Sequence, residues 1–243
     1  MSNFFRTDEK KIAIVTGASR GIGAAIADKL GALNYFVIGT STSGYGKSEG
    51  VSKWIKVDFS NSKETENFIA QIKKLESIEI LINNAGINII KEQKDVLNVD
   101  FDRIQKINLR VPYFLSSLIA SKMAIMGGGK IVNLSSIWSV NSKINRTLYS
   151  TMKSGINGLT RSMAVEWASS NILVNSISPG FVETELTKKS LTGQQQDEIK
   201  KQIPMKRFAQ PEEIAEMVSF LSSNKNTYIT GQNIIIDGGF TIV

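Results

Sequence analysis

The chain has 243 residues and a formal net charge of +7, from 29 Lys and Arg against 22 Asp and Glu. It has no histidine and no cysteine, which excludes Ser-His-Asp and Cys-His catalysis, zinc held by nitrogen or sulfur ligands, and disulfide bonds. The lysines are scattered rather than clustered, so we expect a solvated surface and no nucleic-acid partner. The lack of cysteine fits a reducing, cytoplasmic environment.

Neither a targeting segment nor a membrane span is expected. The first residues are charged and lack the apolar stretch of a signal peptide. The longest uncharged stretch, Leu30–Gly46, is rich in Gly, Ser and Thr, which is unlike a membrane-crossing helix. We therefore predict no membrane partner, and also no bound metal.

Short apolar runs alternate with helical patterns along most of the chain, which is typical of a parallel sheet with crossover helices. We predict strands at Ile12–Val15, Tyr35–Gly39, Trp54–Val57, Glu79–Ile82, Lys130–Leu134, Ile172–Ile177 and Asn233–Ile236. We predict helices near Ile22–Leu33, Lys63–Leu75, Asp102–Met126, Leu148–Ala168 and Pro211–Ser222. The fold expected is α/β, a Rossmann-like doubly wound parallel sheet of about seven strands with helices on both faces.

No repeat or linker-like tract divides the sequence, so we expect one domain over residues 1–243. Residues 181–207 depart from the alternation, because they are polar and only weakly helical. They follow the end of a predicted strand, and ligands of such sheets bind beyond the carboxyl ends of the strands. We therefore predict a lid-like segment there.

A glycine-rich turn, TGASRGIG, lies between the first predicted strand and the first predicted helix. Gly17, Gly21 and Gly23 allow a sharp turn and a close approach of the backbone to a pyrophosphate, and the helix N-terminus adds a positive dipole. A glycine-rich turn alone is weak evidence, since loops also need glycine for structural reasons. Its position between a strand and a helix favours nucleotide binding.

The end of the second strand bears on which dinucleotide is bound. An NAD site usually has an acidic residue there for the ribose 2′-hydroxyl, whereas this chain has Thr40, Ser41 and Thr42. Arg20 could pair with a 2′-phosphate, so we predict NADP(H). Asp58 could either accept from the adenine amino group or cap a helix.

Tyr149 and Lys153 are four residues apart, so on a helix they share one face. A neighbouring ammonium favours a phenolate over a phenol, so we expect Lys153 to lower the pKa of Tyr149. A shift of about 2–3 units would make tyrosine a workable proton donor near neutral pH. Ser136 could then hydrogen-bond the same substrate oxygen.

Together these motifs resemble the short-chain dehydrogenase/reductase family. The resemblance covers essentially the whole chain: TGASRGIG, NNAG at Asn83–Gly86, Asn108, Ser136, Tyr149-x-x-x-Lys153, NSISPG at Asn175–Gly180, and YITGQNIIIDGG near the C-terminus. VIGTSTS and PGFVET are most similar to the bacterial 3-oxoacyl-[acyl-carrier-protein] reductases.

The resemblance implies a catalytic set and a set of cofactor contacts. Tyr149 would protonate the carbonyl oxygen, Lys153 would depress the tyrosine pKa and hold the ribose, Ser136 would orient the carbonyl, and Asn108 would support a water relay. The predicted cofactor contacts are Gly17, Ser19, Arg20, Gly21, Ile22, Gly23, Thr40, Asp58, Phe59, Asn84, Ala85, Gly86, Tyr149, Lys153, Pro179, Gly180, Val182 and Thr184.

The substrate is less well determined by the sequence. The resemblance implies NADPH-dependent reduction of a 3-oxoacyl thioester, possibly carrier-bound, as in fatty-acid biosynthesis. The carrier-protein reductases usually have two arginines where this chain has Gly127 and Ser170, and Trp138 is bulky beside the catalytic serine. Trp138 could pack under the lid or contact substrate.

Two other functions remain open on these residues. One is the same chemistry on a sugar, nucleotide sugar or other small carbonyl or alcohol. The other is a non-catalytic NADP-binding protein, against which the intact set of catalytic residues argues. By the same resemblance we expect a homotetramer, formed through the apolar stretch Val111–Ala120 and one face of Leu148–Trp167.

Overall fold

A computed structural model describes residues 11–185, 187 and 191–243. Its strands are β1 (Ile12–Val15), β2 (Phe36–Ser41), β3 (Lys53–Lys56), β4 (Ile78–Asn83), β5 (Gly129–Leu134), β6 (Ile172–Pro179) and β7 (Asn233–Ile236). They form one parallel sheet in the order β3-β2-β1-β4-β5-β6-β7. The predicted Rossmann-like doubly wound fold is confirmed.

Seven α-helices lie in the described part of the chain. They are α1 (Gly21–Ala32), α2 (Ser62–Lys73), α3 (Asn98–Gln105), α4 (Val111–Ile125), α5 (Thr147–Trp167), α6 (Gly193–Gln202) and α7 (Pro211–Ser222). Among these described helices, none is both long and apolar enough to cross a bilayer.

The sheet is buried on both faces, and its strand β1 is accordingly apolar throughout. Every residue of β1 and β6 is buried. One core cluster packs between one face and α2, α4 and α5, and includes Phe68, Leu115 and Ile156. A second core lies on the other face under α1 and α7, and includes Leu30 and Val218.

The predicted helix Asp102–Met126 is wrong in its start and its continuity. The helical segment begins at Asn98, and a five-residue π-helical turn, Lys106–Arg110, separates α3 from α4. Such wide turns are rare and often occur at functional sites, and no sequence pattern here marked it. Asn108 lies inside this turn.

The segment from 181 to 207 contains more helix than its sequence indicated. Thr192 caps α6 by accepting a hydrogen bond from the Gln195 N–H, and the Gln195 side chain accepts from Thr192 N in return. This reciprocal pair stabilises a helix start that has few apolar residues. Residues 186 and 188–190 of the segment lie outside the described residues.

Candidate active site

The glycine-rich turn is fixed to the end of β4 by one threonine. Thr16 Oγ1 accepts hydrogen bonds from the backbone N–H groups of Asn84 and Ala85, each at 3.0 Å. The Asn84 side-chain amide donates back to the carbonyls of Thr16 and Gly17, at 3.0 and 2.9 Å. These bonds satisfy backbone groups that would otherwise be lost at a strand end.

Two glycines of the turn have no room for a side chain. A β-carbon at Gly23 would lie 2.2 Å from the Gly17 carbonyl oxygen and 2.4 Å from Asn84 Nδ2. Gly17 has a φ of +66°, and its added β-carbon would lie 2.9 Å from Ala85 Cα. Glycine is therefore required by the close packing of this turn against the loop after β4.

The turn opens into a cavity of about 400 Å³ at the carboxyl end of the sheet, a size typical of small-ligand sites. The first turn of α1 has no acidic residue, and the Arg20 side chain makes no capping hydrogen bond there. The free N–H groups of α1 thus suit the pyrophosphate of a dinucleotide. Predicted cofactor contacts that line the cavity are Gly17, Ser19, Arg20, Gly21, Ile22, Gly23, Thr40, Asp58, Phe59, Asn84, Ala85, Gly86 and Thr184.

The other predicted cofactor contacts lie beside this cavity rather than in its wall. Pro179 ends β6, and the Gly180 N–H donates to the Ile236 carbonyl at 2.8 Å. Val182 is buried and forms a bridge with Ala209. Thr184 returns to the turn, since a β-carbon on Gly21 would lie 3.1 Å from Thr184 Cγ2. The start of the predicted lid segment therefore reaches the glycine turn.

Two polar residues of the cavity already have structural partners. The buried Thr40 hydroxyl accepts a hydrogen bond from Gly17 N at 3.0 Å. Asp58 Oδ1 accepts from Ser60 N at 2.8 Å, and the hydrogen bonds from Ser60 lower the pKa of Asp58. The cap of α2 is Asn61, which accepts from Lys63 N and Glu64 N. Asp58 thus organises the loop before the helix while it lines the cavity.

Ser136 and Tyr149 come together just beyond the end of β5. The Ser136 side chain lies close enough to the Tyr149 hydroxyl to lower its pKa, and Ser136 Oγ accepts a hydrogen bond from Trp138 N at 3.2 Å. Ser136 is buried and has an extended backbone conformation, immediately before a short 3₁₀ turn. The two hydroxyls are therefore positioned to hold one carbonyl oxygen together.

Lys153 is buried one helical turn beyond Tyr149 on α5. Its Nζ lies 5.6 Å from the centroid of the Tyr149 ring and donates a hydrogen bond to the Leu134 carbonyl at 2.6 Å. Burial lowers the pKa of Lys153 to about 8. Lys153 therefore changes from an ammonium to a neutral amine as the pH rises through about 8.

Asn108 is tied to the loop after β4. Its Oδ1 accepts from Ile87 N at 2.9 Å, and its Nδ2 donates to the Ile87 carbonyl at 2.8 Å. A β-carbon on Gly86 would lie 3.5 Å from Asn108 Oδ1 and 3.7 Å from Lys153 Nζ. Asn108 and Lys153 therefore flank Gly86, at the inner end of the site.

The expected effect of Lys153 on Tyr149 does not match the structure. Burial raises the pKa of Tyr149, while the hydrogen bond from Ser136 and then the charge of Arg146 oppose that rise. Lys153 lies against the tyrosine ring, and ring contact does not stabilise a phenolate oxygen as a hydrogen bond does. Arg146, and not Lys153, is the cation whose charge lowers the pKa of Tyr149.

Arg146 was missed by the sequence reasoning. Its guanidinium carbon lies 5.7 Å from the centroid of the Trp138 ring, and its charge acts on Tyr149. Trp138 is buried and packs edge-on against Phe181 and Phe240, at 6.2 and 6.3 Å between centroids. Trp138 thus packs against the segment that follows β6. This agrees with the first of the two roles predicted for it, packing under the lid segment rather than contact with substrate.

Several further residues of the cavity wall were also missed. They are Ser41, Thr42, Val57, Ile87, Arg103, Ile107 and Glu185. Ser41 and Thr42 follow Thr40 directly, so the position of the strand end could have indicated them. Arg103 comes from α3, and no local pattern marks a helix surface residue as part of a distant cavity.

A cavity of about 400 Å³ at a glycine turn, beside a cluster of Ser136, Tyr149 and Lys153, is the arrangement of an oxidoreductase site. The sequence model of a family described as Enoyl-(Acyl carrier protein) reductase matches residues 17–241. The chain belongs to the short-chain dehydrogenase/reductase family, as its motifs indicated.

Its relatives differ in substrate and in cofactor. An NAD-dependent glycerol dehydrogenase of Listeria innocua is 37% identical over 96% of this chain and 94% of its own. A 3-oxoacyl-[acyl-carrier-protein] reductase of Buchnera aphidicola is 39% identical over 95% and 97%. The solved structure of ElxO with NADP bound superposes with a TM-score of 0.86, at 28% identity, over 96% of this chain and 100% of that one.

Proposed function

We propose that this protein is an NADP(H)-dependent carbonyl reductase in which Tyr149 is the general acid. The observation that carries the proposal is the buried Lys153, whose Nζ lies 5.6 Å from the Tyr149 ring centroid, with Ser136 close enough to lower the pKa of Tyr149. A binding protein without catalysis would not need to bury a lysine against a tyrosine, since burying an ammonium is costly. Proton transfer by a positioned acid contributes about 10²–10⁴-fold to rate.

The proposed mechanism assigns one step to each side chain. Nicotinamide, when bound, supplies the hydride to the carbonyl carbon. Ser136 and Tyr149 hold the carbonyl oxygen, and Tyr149 gives it the proton, so that the alcohol forms and a phenolate remains. Lys153 lies against the tyrosine ring and would hold the ribose. Asn108 fixes the loop at Gly86 and would support the return of the proton from water.

For the cofactor, we propose a preference for NADP(H) over NAD(H). Arg20 and Arg103 both line the cavity, and a 2′-phosphate would need such positive charge. The described cavity wall there has Thr40, Ser41 and Thr42 and no carboxylate at that strand end. ElxO, with NADP bound, supports this preference, while the glycerol dehydrogenase is NAD-dependent.

The first candidate substrate is a 3-oxoacyl thioester, supported by the relatives that are 3-oxoacyl-[acyl-carrier-protein] reductases. The positions expected to hold carrier-binding arginines, Gly127 and Ser170, lie at the amino ends of β5 and β6. A strand of six residues spans about 20 Å. These two positions are therefore at the amino ends of the strands, whereas Tyr149 lies beyond the carboxyl ends. The lack of arginine at positions 127 and 170 therefore does not change the residues around Tyr149 in the same subunit.

The second candidate is a smaller carbonyl compound. The buried Trp138 and its partners Phe181 and Phe240 close the wall beside Ser136. The half-buried Arg146 adds a charge there, which a neutral acyl chain does not use. These two features favour a compact, polar substrate.

NADPH oxidation at 340 nm with a 3-oxoacyl thioester and with a panel of small oxo compounds tests the proposal. We expect turnover that requires Tyr149, is faster with NADPH than with NADH, and identifies one of the two classes. Reductase activity retained by Tyr149→Phe would contradict the mechanism. NADPH binding without any turnover would favour a non-catalytic protein.

We also propose a homotetramer. Tyr113 and Phe114 on α4 are about half exposed, and Val165 on α5 is 83% exposed. Large apolar side chains exposed on neighbouring helices suit an interface between copies. Light scattering coupled to gel filtration would measure the assembly directly, and a monomer would contradict the proposal.

A further inference from the structure

Arg146 has a charge that the described protein does not neutralise. It occupies the position immediately before α5, three residues ahead of Tyr149. Its Nη1 is shielded from solvent, and no described residue accepts a hydrogen bond from it. Within the described ranges, no carboxylate forms an ion pair with Arg146, and the first turn of α5 has no acidic residue.

A shielded guanidinium N–H without an acceptor is unfavourable for the folded protein. An arginine in protein remains charged, and an unpaired polar group removed from water costs free energy. Burial also lowers the pKa of Arg146, because removal from water disfavours the charged form of the side chain. Unsatisfied groups of this kind tend to occur where a ligand supplies the missing partner.

The neighbours of Arg146 place it next to the reacting groups. Its guanidinium carbon is 5.7 Å from the Trp138 ring centroid, and Trp138 N donates to Ser136 Oγ. The charge of Arg146 and the Ser136 side chain both lower the pKa of Tyr149, against the effect of burial. A substrate whose carbonyl is held by Ser136 and Tyr149 would therefore have its neighbouring atoms close to Arg146.

The chemistry of the side chain identifies what it would bind. The Arg146 guanidinium lies beside the Trp138 ring, and its planar fork of N–H groups matches a carboxylate with two parallel hydrogen bonds. A single arginine offers one positive charge, which balances one carboxylate. We propose that Arg146 binds a carboxylate of the substrate, so that this enzyme acts on an oxo acid or its hydroxy acid.

This proposal rests on the proposed carbonyl reduction and narrows its substrate class to the second candidate. It predicts that the acid is preferred over a neutral ester or thioester of the same carbon skeleton. An acid and its ester differ in charge while they share the reacting carbonyl, so the comparison isolates the contact with Arg146.

Calorimetric titration of the protein–NADP⁺ complex with acetate, malonate, succinate and glutarate tests the binding directly, without turnover. We expect at least one of these anions to bind, and Arg146→Gln to weaken it by about tenfold or more, as expected for loss of a bidentate pair. Lys143→Gln is the matched control, because it removes the same charge from an exposed side chain on the same loop and should bind as the parent does.

Three results would overturn the proposal: no carboxylate binds the parent, Arg146→Gln binds as tightly as the parent, or Lys143→Gln weakens binding equally. Binding of inorganic phosphate alone would also overturn the choice of carboxylate. Arg146→Lys covers the case in which Arg146→Gln does not fold. It keeps the positive charge but loses the planar fork of N–H groups, so it should bind the carboxylate measurably more weakly than the parent does.

A turnover experiment separates this inference from the proposed function. NADPH oxidation is compared for 3-oxobutanoate and methyl 3-oxobutanoate, and the parent should favour the acid by about tenfold while Arg146→Gln loses that preference. Equal preference in both proteins would contradict the role of Arg146. Turnover of neither compound, nor of the thioester and the panel of small oxo compounds, with anion binding that still depends on Arg146, would reject the carbonyl reductase and leave the carboxylate site.

Discussion

The cofactor half and the substrate half of this site are built from different groups. Around the glycine turn, the contacts are backbone amides, a threonine hydroxyl and glycines without room for a β-carbon. Beyond Ser136, the wall consists of aromatic rings and a lone guanidinium. The first half suits a ligand shared by many enzymes, whereas the second half determines which carbonyl is reduced.

The largest expected effect separates the two halves by chemistry. Tyr149→Phe removes the proton donor while the ring that covers Lys153 stays, so kcat should fall by about 10²–10⁴-fold. Binding of NADPH should remain, because Tyr149 does not line the dinucleotide cavity. Turnover and fluorescence of bound NADPH measure the two effects, and parallel loss of both would show that the halves are not separable.

Gly23→Ala should damage the cofactor half first. The new methyl group would clash with the Gly17 carbonyl and the Asn84 amide, and overpacking of this kind costs about 1–3 kcal/mol. We expect a lower midpoint in urea unfolding and weaker NADPH binding. Gly158→Ala is the matched control, since nothing lies within 4 Å of its β-carbon position in α5 and helix propensity should raise its stability slightly.

Thr40→Asp should shift the cofactor preference without touching the substrate half. The carboxylate can still accept from Gly17 N, and it would repel a 2′-phosphate while accepting from a 2′-hydroxyl. We expect the ratio of kcat/KM for NADPH over NADH to fall by about tenfold or more. Asn67→Asp is the control, because it adds the same charge on the exposed side of α2. If Thr40→Asp changes the ratio of kcat/KM for NADPH over NADH no more than this control does, the assignment of Thr40 to the 2′-phosphate site is refuted.

The pH dependence should be the smallest of these effects and should report Lys153. Its pKa of about 8 lies below the ordinary value of 10.5, so the ammonium loses its proton as pH rises through about 8. The neutral amine would no longer present a positive charge to the bound dinucleotide, and kcat/KM for reduction should decline above that pH.

Lys130→Met provides the control for this profile. Burial also lowers the pKa of Lys130, which hydrogen-bonds the Asn226 carbonyl near the amino end of β5. Its replacement should leave the alkaline decline in place. A parent profile that stays flat to about pH 10 would show that Lys153 keeps its charge in the working enzyme.

Much of the fold could be predicted from the sequence, because short runs rich in apolar residues alternate with helical patterns along the chain. β1 and β7 match their predicted bounds, and α7 begins at Pro211 as expected. The π-helical turn at Lys106–Arg110 could not be predicted, since it depends on how Asn108 meets the loop after β4 rather than on local propensity.

The candidate site divides in the same way. Spacing along α5 is enough to relate Tyr149 to Lys153, and the glycine pattern is enough to locate the turn. Arg146 carries no such pattern: its importance depends on the absence of a partner in three dimensions. The direction of the Tyr149 pKa also depended on burial, which spacing does not reveal.

The hydroxyl of Thr16 has a consequence for motion. It holds the amide hydrogens of both Asn84 and Ala85, while the Asn84 side chain holds two carbonyls of the glycine turn. The two loops therefore open and close as one unit, and a local fluctuation of either must break bonds in both. A dinucleotide that orders the turn after β1 would at the same time order the loop that leads to Gly86, Asn108 and Lys153.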